Sequence, residues 1–275
     1  MAAAQEGIAL SIEPFPQGIP SSRLDTRPVA RLRRLPGTAT PDPLFAQAPE
    51  RRSAKLPFDQ ARPVGAERLA RIAAALGPQA GFGGTEAPGL VAGLRELTWA
   101  AWETEAATPA THLETVNLMR LGRAAVAAQP DGVSVWGPGL DPLIERGVIT
   151  REGFATPGQP GYQAMVDRYR PMLAATPAYV WTTSAGDGQD AAFAAGRDWL
   201  RLNLAATAQG LALHPVSQAL QEYPEMDGHR AALHGLLGVA APGRIQMLGR
   251  LGFLPAGAQA APTLRWPAES RILRT

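Results

Sequence analysis

The chain has 275 residues, 45% hydrophobic and 18% charged, which excludes an intrinsically disordered segment and leaves ample material for one large or two modest domains. A formal charge of +2, with no basic stripe interleaved with aromatics, gives nucleic-acid binding no support. There is no cysteine, so disulfides, thiolate catalysis and Cys-ligated metals are excluded, and no uninterrupted apolar run approaches the length that spans a bilayer.

Heavy use of Ala, Arg, Gly and Pro with almost no Lys points to a GC-rich bacterial genome. The start, Met1 to Gly7, lacks a basic region followed by a long apolar one, and Arg33-Arg34 is followed by Leu35-Pro36-Gly37. As written, the chain therefore reads as cytoplasmic.

Ile8, Leu10 and Ile12 alternate with Ala9, Ser11 and Glu13, which predicts a half-buried strand with no helix before it. A second strand is expected over 29–35, then a linker over 36–49. Residues 65–76 form an amphipathic helix with Leu69, Ile72, Ala73 and Leu76 on one face. The run 77–84, with glycines at 77, 81, 83 and 84, is expected to be a loop. Two helices follow, over 90–107 and 112–128, then a turn at Asp131-Gly132 and a short strand over 133–135. Residues 137–161 read as loop-rich, with glycines and prolines as breakers between short elements. A helix over 162–174, a buried strand over 178–183, a long helix over 187–211, a helix over 223–237 and a final strand over 244–248 complete the chain. Strands separated by long helices predict an α+β layer architecture.

The most informative segment is Arg51-Arg52-Ser53-Ala54-Lys55-Leu56-Pro57-Phe58-Asp59, which holds the chain's only lysine. Arginine offers a planar fork to phosphate oxygens, lysine a point charge and serine a neutral hydrogen bond, so the run can clasp an anion. Taken alone it reads more simply as a solvated basic turn. Other chemistries find no candidates. His229 and His234 are five apart and lack a completing carboxylate, and both are expected at the surface. There is no Gly-x-Ser-x-Gly elbow, no Walker-type loop and no dinucleotide fingerprint. Trp99, Trp102 and Trp199 sit at helical spacing with apolar neighbours and read as core.

Five stretches, in order along the chain, carry a resemblance. Arg51 to Lys55 with Pro57-Phe58-Asp59 resembles the opening phosphate motif of FMN-dependent nitroreductases. The stretch Asp198 to Leu211 resembles that family's long central helix, and His214-Pro215-Val216-Ser217-Gln218 the loop along the flavin ring. Gly243 to Phe253 is similar to the last core strand, and Thr263-Leu264-Arg265-Trp266-Pro267 to the segment whose basic residue returns to the phosphate. Phe15 to Gly18, Leu24 to Ala30, Asp42 to Ala46 and Glu114 to Gly122 further resemble a branch with two nitroreductase-like halves in one polypeptide, often led by a twin-arginine export signal.

The resemblance implies a nitroreductase-like α+β fold, with a central mixed sheet flanked by long helices and incomplete at its N-terminus. Residues 1–38 would be the remnant of a first half and 39–275 the second half, with a helical insertion, a possible lid, at about 88–161. It implies FMN as cofactor, NAD(P)H as electron donor and a nitroaromatic or quinone-like acceptor. Arg51, Arg52, Ser53, Lys55 and Arg265 would hold the phosphate, and Pro215, Val216, Ser217 and Gln218 would pass along the ring. The Ser-x-x-Asn-x-Gln-Pro-Trp stretch that covers the other flavin face in the family is absent; Ala75 to Gly81 stands there instead. The missing first half, or a second subunit, would have to supply it. An upstream twin-arginine signal would make the protein periplasmic. Two alternatives remain open: a flavin-sequestering protein with little turnover, and a flavin-free interaction or stability module.

Overall fold

A computed structural model describes residues 1–19, 25–77 and 80–272. Leu24 of the Leu24-to-Ala30 stretch, and Pro78 and Gln79 of the expected loop, lie outside the described residues.

In chain order the elements are α1 (Ala2–Gln5), β1 (Ile8–Pro14), β2 (Ala30–Thr38), α2 (Ala66–Ala75), β3 (Gly81–Thr85), α3 (Pro88–Ala107), α4 (Pro109–Leu118), β4 (Met119–Leu121), α5 (Arg123–Ala128), β5 (Val133–Val135), α6 (Asp141–Glu145), α7 (Arg151–Ala155), α8 (Pro160–Ala174), β6 (Ala178–Ser184), α9 (Gln189–Ala208), β7 (Ala212–Pro215), α10 (Asp227–Leu237) and β8 (Arg244–Gly252). The central sheet runs β3-β6-β8-β7 with antiparallel pairs. A parallel bridge from Ser53 to Leu213 extends the β7 edge and makes the sheet mixed there.

Successive residues of β6 point to opposite faces and join two different cores. Ala178 and Val180 pack with Ile72 of α2 and Leu202, Ala205 and Ala206 of α9. Tyr179, between them, packs with Leu94 of α3, Met172 and Leu173 of α8, Leu233 of α10 and Leu248 of β8. Helices thus cover both faces of the sheet. A third, separate cluster of Val116, Met119, Ile149 and Phe154 lies within the stretch 109–160.

Four expectations need correction. The glycine run 77–84 is not all loop, because Gly81–Thr85 is the edge strand β3. A Cβ on Gly81 or Gly83 would lie 2.0 Å from a side-chain atom of Thr183 or Trp181, so the glycines admit cross-strand side chains instead of breaking the strand. The single helix expected over 112–128 is split: Met119–Leu121 pairs in parallel with Val133–Val135, and Gly122 at φ +83° turns the chain into α5. A short helix, α1, precedes β1. Finally, β1 is not half-buried. It pairs only with β2, and Leu10, Ile12 and Leu32 are exposed.

Within the stretch 88–161 the packing divides. Helix α3 belongs to the central core through Val91, Leu94 and Ala101, whereas 109–160 carries its own cluster. His229 and His234 are half-buried, not free at the surface: His229 Nε2 lies 2.8 Å from Thr104 Oγ1, and His234 Nδ1 lies 3.0 Å from Val239 O.

Candidate functional site

The basic segment is held along the sheet edge. Ala54 N–H donates to Leu213 O at 3.0 Å next to the Ser53 bridge, and Phe58 N–H donates to Ala175 O at 3.1 Å. Phe58 is buried against Gly252 of β8, where a Cβ would lie 2.9 Å from its ring. An extended segment sends alternate side chains to opposite sides. Arg52 accordingly lines a cavity of about 490 Å³ with Glu50, Arg62, Gly210 and Phe253. Lys55 lines another, of about 220 Å³, on the other side.

The smaller cavity lies between the core and the 109–160 excursion. Lys55, Gln218, Glu105 and Trp102 line it from the core, Arg168 and Tyr169 from α8, and Met119, Ser134 and Phe154 from the excursion. Trp102 and Tyr169 stack with centroids 5.1 Å apart and planes at 19°, and Trp99 stacks on Trp102 at 5.0 Å. The result is a flat aromatic wall, two cations and an amide around a largely apolar interior.

Behind Lys55 a row of polar side chains crosses the sheet in register: Tyr179 on β6, Arg250 on β8 and His214 on β7. Tyr179 Oη lies 3.2 Å from Thr98 Oγ1 of α3. The Arg250 side chain is wholly buried; it donates to Leu56 O at 2.5 Å and to Met172 O, and stacks on Phe58 with Cζ 4.2 Å from the ring centroid. Burial lowers its pKa to about 10, so it remains a cation at neutral pH. His214 is buried with Nδ1 unpartnered, and burial first, then Arg250, Lys55 and Arg168, push its pKa well below the ordinary imidazole value. It is neutral at physiological pH.

The expected site residues do not all gather at one place. Lys55 and Gln218, 163 positions apart in sequence, reach the same cavity. Ser53 sits at the sheet edge beside them, and Arg51 is half-buried. Arg52 faces the larger cavity, and its guanidinium also donates to its neighbours' carbonyls, Pro49 O at 2.5 Å and Arg51 O at 3.0 Å. Pro215 pairs with Gly249 inside the sheet; Val216 is buried and donates its N–H to Leu248 O at 2.9 Å. Ser217 precedes a short 3-10 turn over Gln218–Leu220. Arg265 lines neither cavity and donates to Thr263 O and Leu264 O. Its neighbour Trp266 donates to Asp131 Oδ2 at 3.2 Å, which ties the C-terminal segment to the excursion and not to Arg51–Lys55.

Sequence reasoning missed Arg168, Tyr169 and Arg250. Arg250 had a signal: a lone charge between apolar residues and glycines of a buried strand. Arg168 had none, since a cation on an exposed helix face is ordinary.

The molecule has a nitroreductase-like α+β fold. Among solved structures it is similar to the FMN- and NADPH-dependent nitroreductase NfnB of Sphigopyxis sp. strain HMH, at 16% identity over 84% of this chain and 98% of that one, with a TM-score of 0.51. Weaker likenesses are to a nitroreductase with bound FMN from Bacteroides fragilis NCTC 9343 (17% identity, 85% and 100% covered, TM-score 0.46) and to oxidized iodotyrosine deiodinase bound to FMN and 3-iodo-L-tyrosine (15%, 84% and 97%, 0.46). No protein-family model and no curated protein matches the chain. At these identities the likeness is one of fold. No helix among the described residues is long and apolar enough to cross a membrane.

Proposed function

We propose that this chain is an FMN-dependent NAD(P)H oxidoreductase of nitroreductase type, which carries out two-electron reduction of nitroaromatic or quinone-like acceptors. The observation that carries the reading is the convergence of Lys55 and Gln218, from two separate stretches resembling flavin-binding motifs, on one cavity of a nitroreductase-like fold. The residues present fit a flavin: a cation, an amide donor and a flat aromatic wall around an apolar interior.

Bound FMN would supply the redox chemistry, taking hydride from NAD(P)H and passing two electrons to the acceptor. The chain's own residues bind and orient. Arg51 and the Ser53 hydroxyl hold the phosphate, and Lys55 sets positive charge against an anion in the cavity. Gln218 offers its amide from the other side. Arg250, by holding the Leu56 carbonyl, fixes the course of the segment that carries Lys55. In this reading Arg52 and Arg265 are peripheral, because Arg52 faces the other cavity and Arg265 lines neither. A wall for the remaining flavin face comes from a first half or a second subunit.

A flavin-sequestering protein with little turnover is the second reading, favoured by the roof that Met119, Ser134 and Phe154 place over the cavity. Titration of the protein into FMN, followed by anaerobic addition of NADPH, separates the readings. An oxidoreductase bleaches its flavin at once; a store binds the flavin and leaves it oxidised.

A further inference from the structure

We infer that the buried charge of Arg250 favours the reduced flavin over the oxidised one and so raises the reduction potential of the bound cofactor. This rests on the oxidoreductase reading for the presence of FMN, and deepens it by naming a residue that sets the driving force.

The first ground is burial. Among the described residues Arg250 is the one arginine that is buried, with 0% of its surface exposed, whereas Lys55 and Arg168 on the cavity are exposed. A surface charge is screened by water and salt, while a buried one acts through protein of lower dielectric. Arg250 remains a cation at neutral pH and cannot turn to solvent.

The second ground is place. Arg250 donates to Leu56 O, next in the chain to Lys55, and to Met172 O, one turn of α8 beyond Arg168 and Tyr169. Tyr169, part of the cavity's aromatic wall, lies near enough to act on the Arg250 charge. His214 on the neighbouring strand feels Arg250, Lys55 and Arg168 together. The buried charge therefore stands behind the wall of the cavity. Its two carbonyl partners need donors but not a full charge, and a buried charge costs far more than a buried amide.

The third ground is the charge balance of the reaction. Hydride from NAD(P)H brings the flavin two electrons and one proton, which adds one negative charge, and the nicotinamide leaves with one more positive charge. A fixed cation binds the more negative form more tightly, and by linkage the potential rises. Arg250 acts here through space, as a positioning and tuning residue, without touching the reacting atoms.

The test is a spectroelectrochemical titration of the FMN-loaded protein in wild type, Arg250→Gln and Arg250→Lys. Arg250→Gln should lose roughly tenfold of the preference for reduced over oxidised FMN, a potential lower by about 30 mV, the scale of one charge acting at an effective dielectric of about 20. Arg250→Lys keeps the charge and should stay within about twofold of wild type, about 10 mV. A role confined to tying the two carbonyls would weaken both redox forms alike and leave the potential where it was. An unmoved potential in Arg250→Gln, or a fall in Arg250→Lys as large as that in Arg250→Gln, would overturn the inference. Lys55→Gln/Arg168→Gln, saturated with FMN, leaves Arg250 untouched and serves should the Arg250 variants fail to fold. Its potential should also stay within about 10 mV of wild type, and a fall of about 30 mV or more would give the field to the surface cations and overturn the inference. A protein that takes up no FMN would overturn the oxidoreductase reading and this inference together, whereas bound flavin with an unmoved potential would overturn the inference alone.

Discussion

Arg250 and His214 are direct cross-strand neighbours on β8 and β7, both buried, and neither meets a carboxylate among the described residues. One is held as a cation, the other as a neutral imidazole, by the same dry environment. The unfolded chain protonates His214 near the ordinary imidazole pKa, while the folded chain resists until far lower pH. Below about pH 6.5 the unfolded state therefore binds more protons, and stability falls as pH falls. Between pH 6.5 and 5 the slope from this single group rises from about half of 1.4 kcal/mol per pH unit toward that one-proton limit. Urea unfolding of wild type and His214→Gln over that range should show the slope reduced by that amount in the variant. Parallel pH profiles would remove His214 from the account.

Arg250→Ala removes a buried guanidinium and leaves the carbonyls of Leu56 and Met172 without their partner. Two desolvated carbonyls, set against relief of a buried charge, give a net loss of about 2–4 kcal/mol. Chemical denaturation measures it. A loss below about 0.5 kcal/mol, the range of ordinary surface substitutions, would show that Arg250 does not anchor the segment.

Lys55 and Arg52 lie three positions apart yet face different cavities. Lys55→Ala should weaken FMN binding roughly tenfold, the scale of one charge-assisted contact, while Arg52→Ala should change it less than about threefold. Quenching of flavin fluorescence reads both. The reverse order would move the flavin to the larger cavity.

The excursion 109–160 carries its own small core, so it is expected to open as a unit of lower stability than the sheet. Native-state hydrogen exchange should show α4 and α7 exchanging faster than α3 and β6. Removal of α3 along with the excursion should abolish folding, because Leu94 and Ala101 belong to the central core. Equal protection throughout would make the excursion an inseparable part of that core.

The strongly patterned elements were legible in the chain. The run that opens with Ala178-Tyr-Val-Trp became β6, and the spacing of Leu69, Ile72 and Ala73 became α2. Elements whose identity depends on a distant partner were not. The glycines of β3 read as breakers until Trp181 and Thr183 are seen to lie across them. Met119–Leu121 reads as helix until Val133–Val135 pairs with it. The alternation at Leu10 and Ile12 marks a two-faced strand correctly but cannot say whether anything covers the apolar face. At the site the same division holds. Lys55 and Gln218 were singled out through local motifs and line one cavity, whereas Arg168 joins them there only because α8 packs beside the segment carrying Lys55.

The account's central claim is that this fold carries flavin-dependent electron transfer from NAD(P)H. Anaerobic stopped-flow mixing of the FMN-loaded protein with NADPH, followed by a nitroaromatic, tests it most directly. The account predicts bleaching of the flavin absorbance on addition of NADPH, its recovery on addition of the acceptor, and roughly half the amplitude of both in Lys55→Ala at a flavin concentration about ten times the wild-type Kd. Tightly bound flavin that neither NADPH nor NADH reduces, or a protein that takes up no flavin, would contradict it.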